Sequence, residues 1–383
     1  MINNLKRTQP LRPSKIGQFL KCPLRYVFET ERPNVTHLNP NPYVYLGISF
    51  HNSIETFWGN HLISAKEIRN WIKEEFQRQV QKELLNVTKW ILEKYNHELL
   101  ISQSLLNDAT RLAYQQIRNA PSVISNSTER NLTLDLKSSA VEQRIINEDQ
   151  DIAGRADLIE IAKDRITVVD FKLGLTVSED GQPDPVYVMQ LATYALALHD
   201  QNPDKNFHLE LRSPKRTVSI EFNRQLKEQI SQLIKRMKEV LPKDQLLNFE
   251  DLSTPGEHCK KCSYRPSCPS YIGRLKTEGS KISNFISEFD VYGEVQSVQS
   301  QDDLYSIEIF ESISKNKIQI LRIPKSLVKE DVREGEKIYF FDLSTPEVIG
   351  KGVFIANFQV INSQDIANSA FSFVLKRDQT ILN

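Results

Sequence analysis

The chain has 383 residues, 39% of them hydrophobic and 26% charged, and its 49 Lys and Arg balance 49 Asp and Glu. This length supplies two or three cores of ordinary size without help from disulfides, and the composition excludes fibrous and disordered classes. Zero net charge excludes a protein that coats nucleic acid by bulk electrostatics, but it hides two acid-free basic stretches: Lys6, Arg7, Arg12, Lys15, Lys21 and Arg25, then Lys260, Lys261, Arg265, Arg274 and Lys276.

No run approaches the ~20 apolar residues of a membrane span, and MINNLKRTQPLRPSK lacks the apolar centre of a secretory signal. The expectation is a cytoplasmic protein with no membrane partner. The Asn-x-Thr sites at Asn34, Asn86, Asn126 and Asn131 therefore carry no weight.

From Ser14, read as an N-cap, SKIGQFLKC predicts a short helix, and YLGISFHNSIETFWGNH a second with an apolar stripe at helical spacing. AKEIRNWIKEEFQRQVQKELL and KWILEKYNHELLISQSLLNDATRLAYQQI continue that spacing without a proline, so about 46–120 reads as a helical subdomain. After Pro121 the texture changes, and RNLTLDLKSS, SAVEQRIINE, DIAGRADLIEIA and RITVVDFKLG read as strands between polar turns. VYVMQLATYALALH follows as a helix, FHLELRS and RTVSIEFN as strands, and Arg224 to about Val240 as a long helix. The order predicts an α/β or α+β core with a sandwiched sheet.

Residues 281–383 hold five short strand-like runs: FDVYGEVQSV, LYSIEIFES, KIQILRIP, EKIYFFDLS and VFIANFQVIN. They predict a separate small all-β domain. An OB-type barrel fits, and a simple β-sandwich fits nearly as well. Tyr292, Tyr305, Tyr339 or Phe340 would stack on single-stranded bases if one face is a binding surface; docking of a partner, or packing on the rest of the chain, is the equal alternative.

In RITVVDFKL the strand alternation puts Asp170 and Lys172 on one face and Val169 and Phe171 on the other. Asp157, in GRADLIEI, is far enough upstream for a turn and an adjacent antiparallel strand. Charges converging at the edge of an apolar sheet need compensation, and two carboxylates with waters suit Mg²⁺ or Mn²⁺. A nearby ammonium would orient the attacking water or stabilise developing charge. The plain alternative is a solvent-facing pair on an edge strand, because Asp-x-Lys alone is a weak motif.

Cys259, Cys262 and Cys268 form a Cys-x-x-Cys-x5-Cys trio, and Cys22 lies far upstream. In a cytoplasmic chain such clustering points to metal rather than disulfides. Thiolates suit zinc or an iron–sulfur cluster, and spacing does not choose between them.

The chain resembles the RecB-like branch of the PD-(D/E)xK nucleases, including the CRISPR-associated and AddB-type exonucleases that carry an iron–sulfur cluster. The resemblance rests on PSKIGQFLKCPLRYVF, the helix around His51, GRADLIEI, VVDFK, QLATY and the late cysteine trio, over about residues 13–270. It implies a restriction-endonuclease-like core with an N-terminal helical insertion across residues 1–278. It makes Asp157 and Asp170 metal ligands, Phe171 a backbone-carbonyl ligand, His51 a further ligand and Lys172 the catalytic lysine. Glu55 lies one turn beyond His51. Gln190 and Tyr194 match a Gln-x-x-x-Tyr element that contacts DNA or positions Lys172, and Glu142 is an auxiliary acid.

The resemblance also selects a 4Fe-4S cluster on Cys22, Cys259, Cys262 and Cys268, tying both ends of the nuclease region together. Lys21, Arg25, Lys260, Lys261 and Arg265 would then form one basic patch for the DNA backbone. Tyr26 and Tyr264 would stack on unpaired bases or pack around the cluster. The implied activity is cleavage of single-stranded or end-containing DNA, as an exonuclease, in repair, recombination or CRISPR adaptation. Protein partners would be met through the β domain, which the minimal CRISPR-associated form does not explain. The competing readings are a non-catalytic DNA-binding scaffold with the same fold and a restriction-type endonuclease.

Overall fold

Prolines set the N-terminal elements, which follow a first strand, β1 (Asn4–Lys6). A 3-10 turn at Pro13–Lys15 leads into α1 (Ile16–Lys21), and α2 (Pro23–Glu31) follows at once. Ser14 lies inside the 3-10 turn and does not cap α1. Pro23 forces Cys22 into extended backbone, at φ −162° and ψ 111°, and then opens α2 itself. The computed structural model describes residues 4–31, 42–84, 103–120, 139–174, 176–177, 181–279, 290–302, 304–324, 332–341, 353–355 and 374–377.

Helices α3 (Pro42–Phe57), α4 (Ala65–Leu84) and α5 (Gln103–Asn119) form the helical subdomain. At the start of α4, Ser64 and Glu67 close a capping box, each side chain accepting from the other's backbone N–H. The helices share Phe50, Ile54, Ile68, Ile72, Leu112 and Ile117, and that cluster continues into the sheet through Leu158, Val169 and Phe171. The stretches 85–102 and 121–138, read above as helix and as a first strand, lie outside the described residues.

A five-stranded sheet runs β2 (Ser139–Asn147), β3 (Ile152–Ile161), β4 (Arg165–Phe171), β5 (Asn206–Arg212) and β6 (Thr217–Glu221), in that spatial order. Neighbours are antiparallel except β4 and β5. A parallel pair needs a crossover, and α6 (Pro185–His199) supplies it. Asp184 caps α6 by accepting from the Val186 N–H at 2.8 Å, and Pro185 occupies its first turn. Gln190 through Leu198 are all buried, because α6 lies between the sheet and α7 (Arg224–Val240). Val168, Leu209 and Leu211 face this side, so the sheet is covered on both faces, as the order of predicted elements required.

Chain reversal after α7 brings β7 (Leu246–Asn248) antiparallel to β1, and α8 (Phe249–Leu252) follows. Two 3-10 turns then carry the late cysteines into α9 (Pro269–Glu278). Strands of three residues, like β1 and β7, carry too little alternation to be read from sequence.

The C-terminal strands are β8 (Val291–Gln301), β9 (Leu304–Glu311), β10 (Asn316–Pro324), β11 (Lys337–Phe341), β12 (Val353–Ile355) and β13 (Val374–Arg377). They form one sheet in the order β12-β10-β9-β8-β11-β13. Four of the expected strands are present, the fifth run is described only over Val353–Ile355, β13 is a sixth strand, and among the described residues the two edge strands do not pair to close a barrel. Phe340 is 0% and Tyr339 1% exposed, which corrects the expectation that they stack on bases. Tyr339 and Phe341 instead pack with Cys259, Tyr271, Ile272 and Leu275. Tyr292 stacks on Tyr339 at 4.5 Å, and Tyr305 packs on the β core. No described helix is long and apolar enough to cross a membrane.

A buried ion pair ties the β region to the cysteine segment. Arg265 donates to Asp290 at 2.7 and 3.2 Å, and the Tyr271 hydroxyl donates to the same carboxylate at 2.6 Å. Arg265 is 3% and Asp290 0% exposed, so neither charge has water to fall back on. Asp290→Ala should lower unfolding free energy by about 3–5 kcal/mol, measured by chemical denaturation of the full chain. A loss below 1 kcal/mol would show that the pair does not hold this junction.

Candidate metal centre

The β3–β4 ladder runs from Ile161 opposite Ile166 to Leu158 opposite Val169, and then the strands part. Asp157 fills the opening: its Oδ2 accepts from the Phe171 N–H at 2.6 Å, replacing a ladder bond with a side-chain bond. Lys172 follows at the end of β4, where its N–H still donates to the Arg212 carbonyl at 3.0 Å. The site therefore forms beyond the C-terminal end of a parallel strand, a usual place for ligands in sheets of this kind.

Asp170 is 2% exposed and projects toward α6. Its Oδ1 accepts from Gln190 Nε2 at 2.7 Å and from Lys172 Nζ at 2.9 Å. Lys172 Nζ also lies 2.8 Å from Oδ2, yet that oxygen is buried with no well-directed hydrogen bond. Burial pushes the Asp170 carboxyl up to about 6 despite Lys172, with Asp157 adding to the rise. Burial works against the Lys172 ammonium, but Asp170 and Asp157 outweigh it and hold its pKa above the ordinary lysine value.

His51 arrives from the other side of the sheet. Phe50 meets Phe171 edge to face at 6.3 Å, and the next residue of α3 points its Nδ1 at Asp157 Oδ1, 3.5 Å away, and at Glu142 Oε1, 3.6 Å away. Donor atoms of His51, Glu142 and Asp157 all fall within 4.8 Å of one another. Glu142 sits in the middle of β2 at φ +50°, a left-handed conformation that a non-glycine residue adopts at a cost of about 1–3 kcal/mol. Burial works against the His51 cation, but Asp157 and Glu142 raise its pKa above the usual value.

An imidazole nitrogen with carboxylate oxygens suits Mn²⁺ or Mg²⁺, and the spacings approach the roughly 3 Å between adjacent ligands of an octahedral ion. Asp170 Oδ2 lies beside them against the Lys172 ammonium at 2.8 Å. These residues fit the group.

Helix α6 positions the remaining groups. Gln190 and Tyr194 share a face, and the Tyr194 hydroxyl donates to the Arg155 carbonyl at 2.6 Å, which fixes the β3 backbone rather than touching Lys172. Burial, with Asp157 and Asp170 nearby, pushes Tyr194 far up and keeps it protonated. A Cβ at Gly154 would lie 2.9 Å from both the Tyr194 ring and Pro13, so only glycine lets α6 approach β3 this closely. Sequence reasoning missed Tyr187, whose ring lies 5.0 Å from Lys172 Nζ, and Arg155. Both were findable by periodicity, Tyr187 three before Gln190 and Arg155 two before Asp157.

Cys22, Cys259, Cys262 and Cys268 line one pocket with Arg25, His258, Tyr264 and Arg265. All four are unpaired thiols, and burial together with the other three pushes Cys268 up to about 12. Two expected DNA contacts are corrected here. Arg265 is buried on Asp290, and Tyr26, 0% exposed, accepts from the Arg12 N–H at 2.9 Å. Tyr264 is 4% exposed and stacked on Phe28 at 5.2 Å, so it packs beside the thiols. Arg25 pairs with Glu29 at 2.8 Å, Lys260 with Glu257 at 3.1 Å, and Lys21 is exposed. The Lys261 side chain lies outside the described set.

Comparison with known proteins bears on this geometry. A family model described as "PD-(D/E)XK nuclease superfamily" matches residues 10–269, a span that contains every group named in this subsection except Asp290. The chain is also similar to a solved structure described as "Crystal structure of SSO0001", at 16% identity and a TM-score of 0.27, over 70% of this chain and 89% of that one. No curated protein matches it by sequence.

Protons compete with a cation for these donors. His51 titrates above its ordinary value and Asp170 near 6, so Mn²⁺ affinity should rise with pH and level off once both are deprotonated. Below about pH 6 it should fall by roughly tenfold or more per unit. Titrating Mn²⁺ into the protein between pH 5 and 8 checks this, and a flat profile would remove both residues as ligands.

Proposed function

The chain belongs to the PD-(D/E)XK nuclease superfamily, and from that premise and the geometry around Asp157 we propose that it is a metal-dependent DNA nuclease, acting as an exonuclease on single-stranded or end-containing DNA. The convergence of His51, Glu142 and Asp157, with the Asp170–Lys172 pair within electrostatic reach of Asp157, carries this reading. His51, Asp157 and Asp170 would hold Mg²⁺ or Mn²⁺, with the Phe171 carbonyl and Glu142 completing the set. The bound ion supplies polarisation of a phosphate oxygen and a water acidic enough to act near neutral pH.

The chain's own groups do the rest. Lys172, held as an ammonium by Asp170 and Asp157, would orient that water and stabilise negative charge on the phosphate. Gln190 fixes Asp170, which in turn fixes Lys172, so α6 sets the direction of the ammonium. Tyr187 covers Lys172 and limits its contact with bulk water.

The four cysteines would hold a 4Fe-4S cluster as a staple between the two ends of the family-matched span, within the RecB-like branch. That the four thiols line one pocket supports a metal-bound staple, and the family resemblance favours iron–sulfur over zinc. Closing so long a loop would stabilise the fold without redox chemistry. A role in repair or CRISPR adaptation, with partners met through the β region, extends this reading.

Asp157→Ala should abolish Mn²⁺- and Mg²⁺-dependent cleavage of end-labelled single strands while DNA binding in Ca²⁺ stays within about threefold of wild type. Unchanged cleavage would sink the assignment, and cutting of covalently closed circles would replace exonuclease with endonuclease. Anaerobic purification followed by iron and sulfide analysis tests the staple, and stoichiometric zinc would overturn it.

A further inference from the structure

Arg155 stands at the rim of the metal group with an anchored backbone and a loosely held head. Its carbonyl accepts the Tyr194 hydroxyl at 2.6 Å, so the residue's position along β3 is fixed. Its side chain is 59% exposed and contributes nothing to the core. Nη1 lies 3.6 Å from Glu142 Oε2 and 3.7 Å from Glu55 Oε2, well beyond the ~2.7–2.9 Å of a charge-assisted hydrogen bond. Glu142 turns its other oxygen toward His51, so this one carboxylate faces both the metal group and the guanidinium.

The two cations of the site are therefore held very differently. Lys172 is clamped on Asp170 at 2.8 Å and 2.9 Å and has little freedom to follow a substrate. Arg155 lies between two carboxylates, bonded closely to neither. When a cation takes up the charge of Glu142, the attraction that keeps Arg155 at rest weakens, and a phosphodiester in the site becomes the nearest uncompensated anion. The planar guanidinium matches the non-bridging oxygens of a phosphate, which a point charge such as lysine does not.

We propose that Arg155 binds the non-bridging oxygens of the phosphate being cleaved and stabilises charge developing there, with Glu55 and Glu142 holding it ready until metal and DNA arrive. This rests on the nuclease reading above. It assigns Arg155 a catalytic role and Glu55 a positioning one.

The test uses the full chain and three readouts: Mn²⁺ affinity, salt dependence of single-strand binding in Ca²⁺, and single-turnover cleavage in Mn²⁺. Arg155→Ala should slow cleavage roughly 100-fold, in line with loss of one donor to a developing oxyanion. It should reduce the slope of log affinity against log salt by about 0.7, the value of one phosphate contact on a single strand. Mn²⁺ affinity should hold or tighten, because Glu142 loses a competing cation. Arg155→Lys should keep the salt slope but recover only part of the rate. Mn²⁺ binding weakened tenfold by Arg155→Ala would show a mere support for the ligands and overturn the proposal. Equal cleavage by variant and wild type would overturn it while leaving the nuclease reading intact. Wild-type protein that binds Mn²⁺ but cuts no DNA would overturn both.

Discussion

A carboxylate that is 2% exposed and stands beside a second one can exist only where the surroundings supply positive charge, and Asp170 imposes that condition on the whole centre of the molecule. Lys172 meets it in part, and so does the Gln190 amide, which forces α6 to lie against the end of β4. The remaining oxygen stays without a directed partner. Stability alone would not select such an arrangement, since an apolar pair of similar volume packs as well without the desolvation cost. The demand for a cation is what makes Asp157, Glu142 and His51, drawn from three further elements, intelligible as one group.

Because of that demand, the core and the site are built from the same contacts. His51 reaches the group only because the preceding Phe50 packs on Phe171, the residue between Asp170 and Lys172. The Phe171 N–H meanwhile holds Asp157. One residue of β4 thus links the helical subdomain, a carboxylate and the strand that carries the lysine. On the other face, the absence of a side chain at Gly154 lets Tyr194 bond to the Arg155 carbonyl. A shift of α6 by one methyl group would move Gln190 as well, so packing precision and site geometry are a single constraint.

How much of this was legible in the sequence follows from the range of each interaction. The β3–β4 pairing, the face shared by Asp170 and Lys172, and the helix carrying Gln190 and Tyr194 are periodic and local, and they are present as expected. That three elements deliver His51, Glu142 and Asp157 to one point is a matter of tertiary docking. Spacing allowed it, and only the family resemblance singled it out. Periodicity also says nothing about whether an aromatic or basic side chain is covered. Arg265 reads as a surface group because of its chemistry, and Tyr26, Tyr339 and Phe340 read equally as stacking or packing groups; all four are buried because a distant segment closes over them.

Arg265 shows what that error conceals. Its Nη1 donates to the carbonyls of Lys260 at 2.8 Å and Cys262 at 3.0 Å, so a fixed positive charge shapes the very loop that carries the thiols. Arg25 lies in the same pocket, and both guanidiniums favour the thiolate form of Cys262 against the effect of burial. Four thiolates brought together in a buried pocket repel one another, and any metal they hold leaves net negative charge to be balanced. Of the basic residues that flank the cysteines in sequence, Arg25 and Arg265 thus stand beside sulfur. Cys22 and Cys262 belong to the nuclease core, Cys259 packs with residues of the β region, and Cys268 touches both clusters. The sulfur site stands at the seam between the two bodies of apolar side chains, with Asp290 reaching across to neutralise Arg265.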